Sequence, residues 1–289
     1  MSVPNPQQAA APASPIVGRA ELDPIWDVDA VDAPAPLHKK RILLLAAMPE
    51  EALPVLSGHE ATRLESPAGP SWRIDFPADG APGAEVTLVT CGIGLVNAAA
   101  AAVKGIALYQ PDLIISLGSA GGLAPQIRRG DIVVGTRYRY GDADSTAFGY
   151  QYGQIPGMPA CFDGDQRLID LIFGEHDDPS LHCGEILSAN SFVTGELAGL
   201  LQQRFPEALA TDMESAAIAQ VAFSHEVGFV CVRSISDLCG DDAAQEWDDS
   251  IGTVAARSAQ AVWNLIQLLA SNPIYGYVLS VAGWLRNWS

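Results

Sequence analysis

Short, predominantly apolar runs recur along this chain, and they stop close to glycine, serine, asparagine or acidic residues. Ile42-Leu43-Leu44-Leu45-Ala46-Ala47 is the first. Ala84–Thr90, Leu113–Leu117, Asp131–Val134, Gly184–Ala189 and Phe229–Ile235 follow. Runs this short with little polar alternation suit strands covered on both faces. Helical patterns fall between them: an Ala-rich stretch from Val96 to Leu108, then Gln166–Phe173, Glu196–Phe205 and Met213–Ser224. The longest, Glu246–Ala270, sets Ile251, Val254, Ala255, Ser258, Val262, Leu265, Ile266 and Leu269 on one stripe at helical spacing. Strands alternating with helices predict an α/β layered fold with a largely parallel sheet. Ligands of such sheets bind beyond the carboxyl ends of the strands. That rule selects Ala47-Met48-Pro49-Glu50-Glu51, Gly92-Ile93-Gly94, Gly118 to Gly122, and Ser236-Asp237.

No Pro/Gly/Ser linker divides residues 40–271, so one domain is expected there. Residues 1–39 read as a Pro/Ala-rich arm, disordered or loosely packed; its first 36 residues hold seven Pro and eight Ala. Residues 272–289 form an extension whose apolar stripe of Ile274, Tyr277 or Val278, Val281, Leu285 and Trp288 suggests a helix packed on the domain or on a second subunit. Sixteen Lys and Arg against 34 Asp and Glu leave a net charge of −18. A surface so acidic argues against nucleic acid and against anionic lipid, both of which need cations. No stretch approaches the ~20 apolar residues of a membrane span. The five Cys form no CxxC pair and the five His no HxxxH pair, so neither a disulfide framework nor a metal site is expected. No cofactor is expected either. The balance suits a cytoplasmic enzyme with reduced thiols.

The strand ends admit bland readings one by one. Glu50 and Glu51 are either a solvated helix start favoured by the helix dipole or a catalytic pair. Gly92-Ile93-Gly94 lacks the third glycine of a dinucleotide fingerprint, because position 97 is Asn. Gly118-Ser119-Ala120-Gly121-Gly122 is either a ligand cradle of bare backbone N–H groups or a tight turn needing positive φ. It is not a nucleophile elbow, since position 117 is Leu and Ser119 has no nearby His. Asp212 and Glu214 open an Ala-rich helix, where a carboxylate is an ordinary cap. Asp237 ends an apolar strand as a turn former or as a buried functional acid. Together, however, three separate element ends each offer a carboxylate: Glu51, Glu214 and Asp237. Phe192 and Val193 supply an apolar wall. That set suits a neutral polyhydroxyl ligand such as ribose, and it suits proton transfer.

Six segments, in order, carry a resemblance. They are Ala-Ala-Met-Pro-Glu-Glu (46–51), Gly-Ile-Gly (92–94), Gly-Ser-Ala-Gly-Gly-Leu-Ala-Pro (118–125), the run from Asp142 to Gly157, Asp-Met-Glu-Ser-Ala-Ala (212–217) and Val-Arg-Ser-Ile-Ser-Asp (232–237). Residues 41–270 resemble the bacterial 5′-methylthioadenosine/S-adenosylhomocysteine nucleosidases of the nucleoside phosphorylase superfamily. The resemblance implies a three-layer αβα sandwich around a twisted, mostly parallel sheet. By its pattern Glu51 activates the attacking water, Arg233 helps hold that water, and Asp237, steadied by Ser236, protonates adenine N7. Glu214 binds the ribose hydroxyls and Met213 packs under the sugar. Phe192 stacks on adenine, the Val193 backbone reads its edge, and Ser119 and Gly121 line the purine and sugar region. Met48, Ile93 and Trp247 build the 5′-alkylthio pocket. Phe148, Tyr150 and Pro156 reach that pocket from a neighbouring subunit, which implies a homodimer. Pro49, Asp212 and Trp247 depart from the pattern, standing where Glu, Glu and Phe are common, and Ser188-Ala189-Asn190 lacks an acid often seen there.

The implied reaction is hydrolysis of the N-glycosidic bond of a 5′-thio-adenosine, a step of methionine salvage and nucleoside catabolism. Adenine leaves as a neutral base once N7 is protonated, and the sugar becomes oxocarbenium-like. Asp237 must begin protonated and Glu51 ionised, with burial raising the first and polar partners such as Arg233 keeping the second charged. A phosphate-dependent phosphorylase is the first alternative, opposed by the acids after the first strand. A non-catalytic nucleoside-binding sensor is the second.

Overall fold

Leu43 and Leu45 face one side of their strand, and Ile42, Leu44 and Ala46 face the other; all five are buried. A strand so covered needs a layer of helices on each side. The computed structural model describes residues 39–78, 81–173 and 178–271. The predicted arm (all but residue 39) and the predicted extension lie outside the described residues. No described helix is long and apolar enough to cross a membrane.

The chain opens with β1 (Lys40–Ala46), α1 (Pro49–Leu56), β2 (Ala61–Leu64), β3 (Ser71–Ala78), β4 (Ala81–Thr90) and α2 (Leu95–Tyr109). It continues through β5 (Leu113–Gly122), β6 (Ile132–Tyr140), β7 (Phe162–Asp163), α3 (Gln166–Phe173) and β8 (Leu181–Ser188). It closes with α4 (Gly195–Arg204), β9 (Ala208–Asp212), α5 (Ser215–Ser224), β10 (Gly228–Asp237) and α6 (Ala243–Ser271). β4, β1, β5 and β10 lie parallel, with β3 and β2 added antiparallel at the outer edge. β6, β8 and β9 form a second parallel group. Antiparallel ladders β10–β6 and β5–β9 join the two groups, so β5, β9, β8, β6 and β10 close into a ring.

α1, α3 and α6 cover one face, packing Val55, Leu168, Val262, Leu265 and Ile266 on Leu44, Ile115 and Val232. Trp263 on α6 donates its ring N–H to the Val55 carbonyl on α1 at 3.1 Å. α2 and α5 cover the other face through Ala98, Ala101, Ala102, Ala216, Ala217 and Ala219, whose small side chains let the helices lie close. Each fully buried Leu or Ile contributes roughly 1.5–3 kcal/mol. This is the expected αβα sandwich.

The sequence reading differs from it in places. Gly118 to Gly122 is no turn: β5 runs through it, because Gly118, Ser119 and Ala120 pair with Arg233, Ser234 and Ile235 of β10, and Gly121 pairs with Thr211 of β9. β2, β3 and β9 carried no apolar run. β3 alternates instead, with Ile74 buried and Trp72 and Phe76 half-buried while Arg73 and Asp75 face water.

Candidate active site

Glu51 is the third residue of α1, and its side chain points back along the helix to the end of β1. It is 1% exposed. Oε2 accepts the Ala47 and Met48 backbone N–H groups at 3.0 and 3.3 Å. Oε1 accepts the Ser119 N–H at 2.9 Å and the Ser119 hydroxyl at 3.1 Å. Room for this carboxylate comes from Gly118. A Cβ there would lie 2.3 Å from Oε1 and 2.8 Å from an Arg233 nitrogen, and the residue sits at φ 141°. Ser119 thus lines the cavity, as expected, and also holds Glu51. Glu50, its neighbour, is exposed.

Glu214 caps α5 and is buried. The Gly94 N–H donates to its Oε1 at 3.0 Å, which gives the Gly92-Ile93-Gly94 turn its task. Beneath it lies Arg233, 1% exposed on β10. Its Nη2 reaches Asp212 Oδ2 at 2.9 Å and Glu214 Oε2 at 3.3 Å, and Nη1 reaches the Leu117 carbonyl at 3.2 Å. Asp212 also accepts the Ser188 hydroxyl at 2.5 Å and the Ser215 N–H at 3.1 Å, and pairs closely with the Ser215 hydroxyl. One guanidinium therefore pairs with two buried acids, Asp212 and Glu214. Burial raises Glu214 to about 7, with Arg233 opposing and Asp212 adding to the rise. Burial likewise raises Glu51, against Arg233 and the Ser119 and Ala47 donors. Arg233 and these donors are the polar partners that favour the charged form, while removing the carboxylate from water opposes them.

Asp237 ends β10. Its Oδ1 accepts the Cys239 N–H at 3.0 Å, and the Ser236 hydroxyl lies 2.7 Å from Oδ2 and 3.2 Å from the Ala120 carbonyl. Burial raises its pKa, the Ser236 and Cys239 hydrogen bonds oppose this, and the Glu246 charge adds to the rise. Gly121 keeps this corner open, since a Cβ there would fall 2.5 Å from the Cys239 sulfur and 3.2 Å from Asp237 Oδ1.

The three acids line one cavity of about 230 Å³. Met48, Ile93, Ser119, Gly121, Phe192, Val193, Met213, Ser236 and Trp247 line it too, so most of the sequence-predicted residues meet there. Phe192 stands half exposed at 47%. Arg233 does not line it. It lies below the floor, where its guanidinium pairs with Asp212 and Glu214. Phe148, 83% exposed, Tyr150 and Pro156 lie outside this cavity, between β6 and β7. Sequence reasoning missed Thr211 and Cys239 as lining residues, and it saw Asp212 only as a cap and a departure. A run-end at Ser188 facing Asp212 was the one available signal.

This αβα sandwich has known counterparts. The sequence model of the Phosphorylase superfamily matches residues 41–270, and the chain belongs to that superfamily. Within it, the chain is similar to solved 5′-methylthioadenosine/S-adenosylhomocysteine nucleosidases. One, from Streptococcus pneumoniae with a transition-state inhibitor, is 33% identical at a TM-score of 0.75, over 79% of this chain and 99% of that one. The S-adenosylhomocysteine nucleosidase of Streptococcus pyogenes, bound to 5-methylthiotubericidin, is 32% identical at 0.76, over 81% and 99%. The Neisseria meningitidis nucleosidase with methylthio-immucillin-A is 33% identical at 0.74, over 79% and 99%.

Proposed function

We propose that this protein hydrolyses the N-glycosidic bond of 5′-methylthioadenosine, S-adenosylhomocysteine or both, releasing adenine and the 5′-thio-ribose. The observation that carries this is the convergence of Glu51, Glu214 and Asp237 on one cavity with an apolar wall at Phe192 and Val193. Asp237 is the general acid to N7. Glu51, reaching the cavity floor from α1, takes a proton from the attacking water. Glu214 accepts hydrogen bonds from the ribose hydroxyls. Arg233 acts from below by holding Glu214 in place. Met48, Ile93 and Trp247 form the alkylthio end. Water rather than phosphate is the nucleophile, because four carboxylates and no cationic side chain line the cavity among the described residues.

Adenine release from methylthioadenosine should proceed at the same rate with and without phosphate, followed by chromatography of the free base. A strict phosphate requirement overturns the hydrolytic reading, and binding without any release supports the sensor instead. The reading places the enzyme in methionine salvage in the cytoplasm, where its five free thiols stay reduced.

The working form is a homodimer. Phe148, Val96 and Val103 stand exposed, and Ile93 at the cavity rim is 49% exposed. A second copy bringing Phe148, Tyr150 and Pro156 over the alkylthio end closes that rim. Light scattering should then give twice the chain mass. Phe148→Ala should raise KM for methylthioadenosine about tenfold or more, since even one methylene lost from an apolar pocket is worth about 10–200-fold, with kcat little changed. A monomer with full activity overturns the proposal.

A further inference from the structure

Asp237 is gripped from outside the cavity by α6. The chain turns from β10 through Leu238 and Cys239, the latter at φ 55°, before α6 begins at Ala243. Glu246, in the first turn of α6, reaches back over this turn. Its Oε2 accepts the N–H of Leu238, the residue after Asp237, at 3.3 Å. Its Oε1 lies 3.6 Å from Arg129 Nη1 on the β5–β6 connection, and Arg129 Nη2 donates to the Glu246 carbonyl at 3.4 Å. One turn on, the Ser250 hydroxyl donates to the Ser236 carbonyl at 3.1 Å. The start of α6 therefore holds the peptides on both sides of Asp237.

An acid in a first helical turn is ordinarily accounted for by the helix dipole alone. That role asks for no partner, yet this carboxylate is turned onto the Leu238 peptide and matched by a cation. The groups facing Asp237 are few. Its own turn supplies the Cys239 N–H and thiol. β5 presents the Ala120 carbonyl, through Ser236, and Gly121. α6 supplies Glu246, with Arg129 behind it, and Glu51 and Glu214 share the cavity. Glu246 is the charge among these that makes Asp237 harder to ionise without touching the cavity.

We propose that Glu246, balanced by Arg129, is a positioning residue for the reaction, fixing the Leu238 peptide and setting the pH at which Asp237 gives up its proton. This rests on the reading of Asp237 as the general acid. An acid works only while protonated, so activity falls as pH rises through its pKa. Removing a neighbouring negative charge makes ionisation easier and moves that alkaline limb to lower pH. Removing the cation that offsets Glu246 moves it to higher pH.

The test is kcat/KM for adenine release against pH in the full chain, because that ratio reports the free enzyme. Glu246→Gln keeps an acceptor for the Leu238 N–H and loses the charge. On the alkaline limb it should fall about threefold below wild type, the scale of one partly screened charge, while matching it at lower pH. Arg129→Gln should rise above wild type on the same limb. Glu246→Ala, lacking charge and acceptor, should be slower at every pH, with Gln restoring the plateau. An unmoved limb in Glu246→Gln, alongside an inactive Asp237→Asn, overturns this proposal and leaves the acid assignment standing. An active Asp237→Asn overturns the acid assignment itself.

Discussion

Asp237→Asn should fold normally, bind the nucleoside, and release adenine about 10²–10⁴ times more slowly, the range for one general acid. The fold should survive because the amide satisfies the same neighbours. Its oxygen accepts the Cys239 N–H, and its NH2 donates to the Ser236 oxygen, which lies 2.7 Å away in the native protein. The Ser236 hydroxyl then donates to the Ala120 carbonyl. That geometry is also the one a protonated Asp237 adopts, with the acid donating to Ser236 and Ser236 to Ala120. What the amide lacks is a proton to give N7, so adenine must depart as an anion. Melting temperature and KM should stay close to wild type while kcat collapses. A substrate analogue whose base departs readily as an anion should lose far less. Adenine release within about tenfold of wild type would mean that another group supplies the proton.

Glu51 and Asp237 are both pushed above the ordinary carboxylate range by burial, where the sequence argument expected only the second to be. What separates them is their partners. Glu51 accepts four N–H or O–H groups, all of which favour its ionised form. Asp237 accepts fewer, the Ser236 hydroxyl and the Cys239 N–H. A run of residues displays this only in part: Ala47, Met48, Ser236 and Cys239 are neighbours in sequence, but Ser119 on β5 for Glu51 and Gly94 for Glu214 come from distant segments.

The same distance explains what the sequence showed of the fold. Ile42–Ala46 and Leu113–Leu117 declare themselves, since burial on both faces leaves Ser116 as their one polar residue. β9, by contrast, is a short segment whose strand character comes from pairing with β8 and β5, and β3 is half exposed. Gly118–Gly122 misled because glycine signals a turn locally, while here it makes space for Glu51, Arg233, Cys239 and Asp237 against a continuous strand. The position of Arg233 was not legible in its motif. Nothing in Val-Arg-Ser-Ile-Ser-Asp indicates that the guanidinium lies under the cavity floor.

That crowding makes Glu51 and Gly118 one functional unit, and both should fail together. Glu51→Gln removes the base, at a cost of about 10²–10⁴ in kcat. It also creates a conflict, because each native oxygen meets only donors. Whichever way the amide turns, its NH2 faces either the Ala47 and Met48 N–H groups or those of Ser119, so the melting temperature should fall as well. Gly118→Ala keeps the carboxylate and displaces it. The new methyl carbon would overlap Oε1 at 2.3 Å, and alanine rarely adopts φ 141°. Its kcat should drop at least as far as that of Glu51→Gln, with a lower melting temperature. Free adenine should still bind, because Phe192, Val193 and Asp237 lie on other elements. Calorimetry with adenine, set beside the turnover assay, separates a misplaced base from a ruined pocket. If Gly118→Ala turns over normally, the carboxylate wedged against that glycine is not the group that activates water.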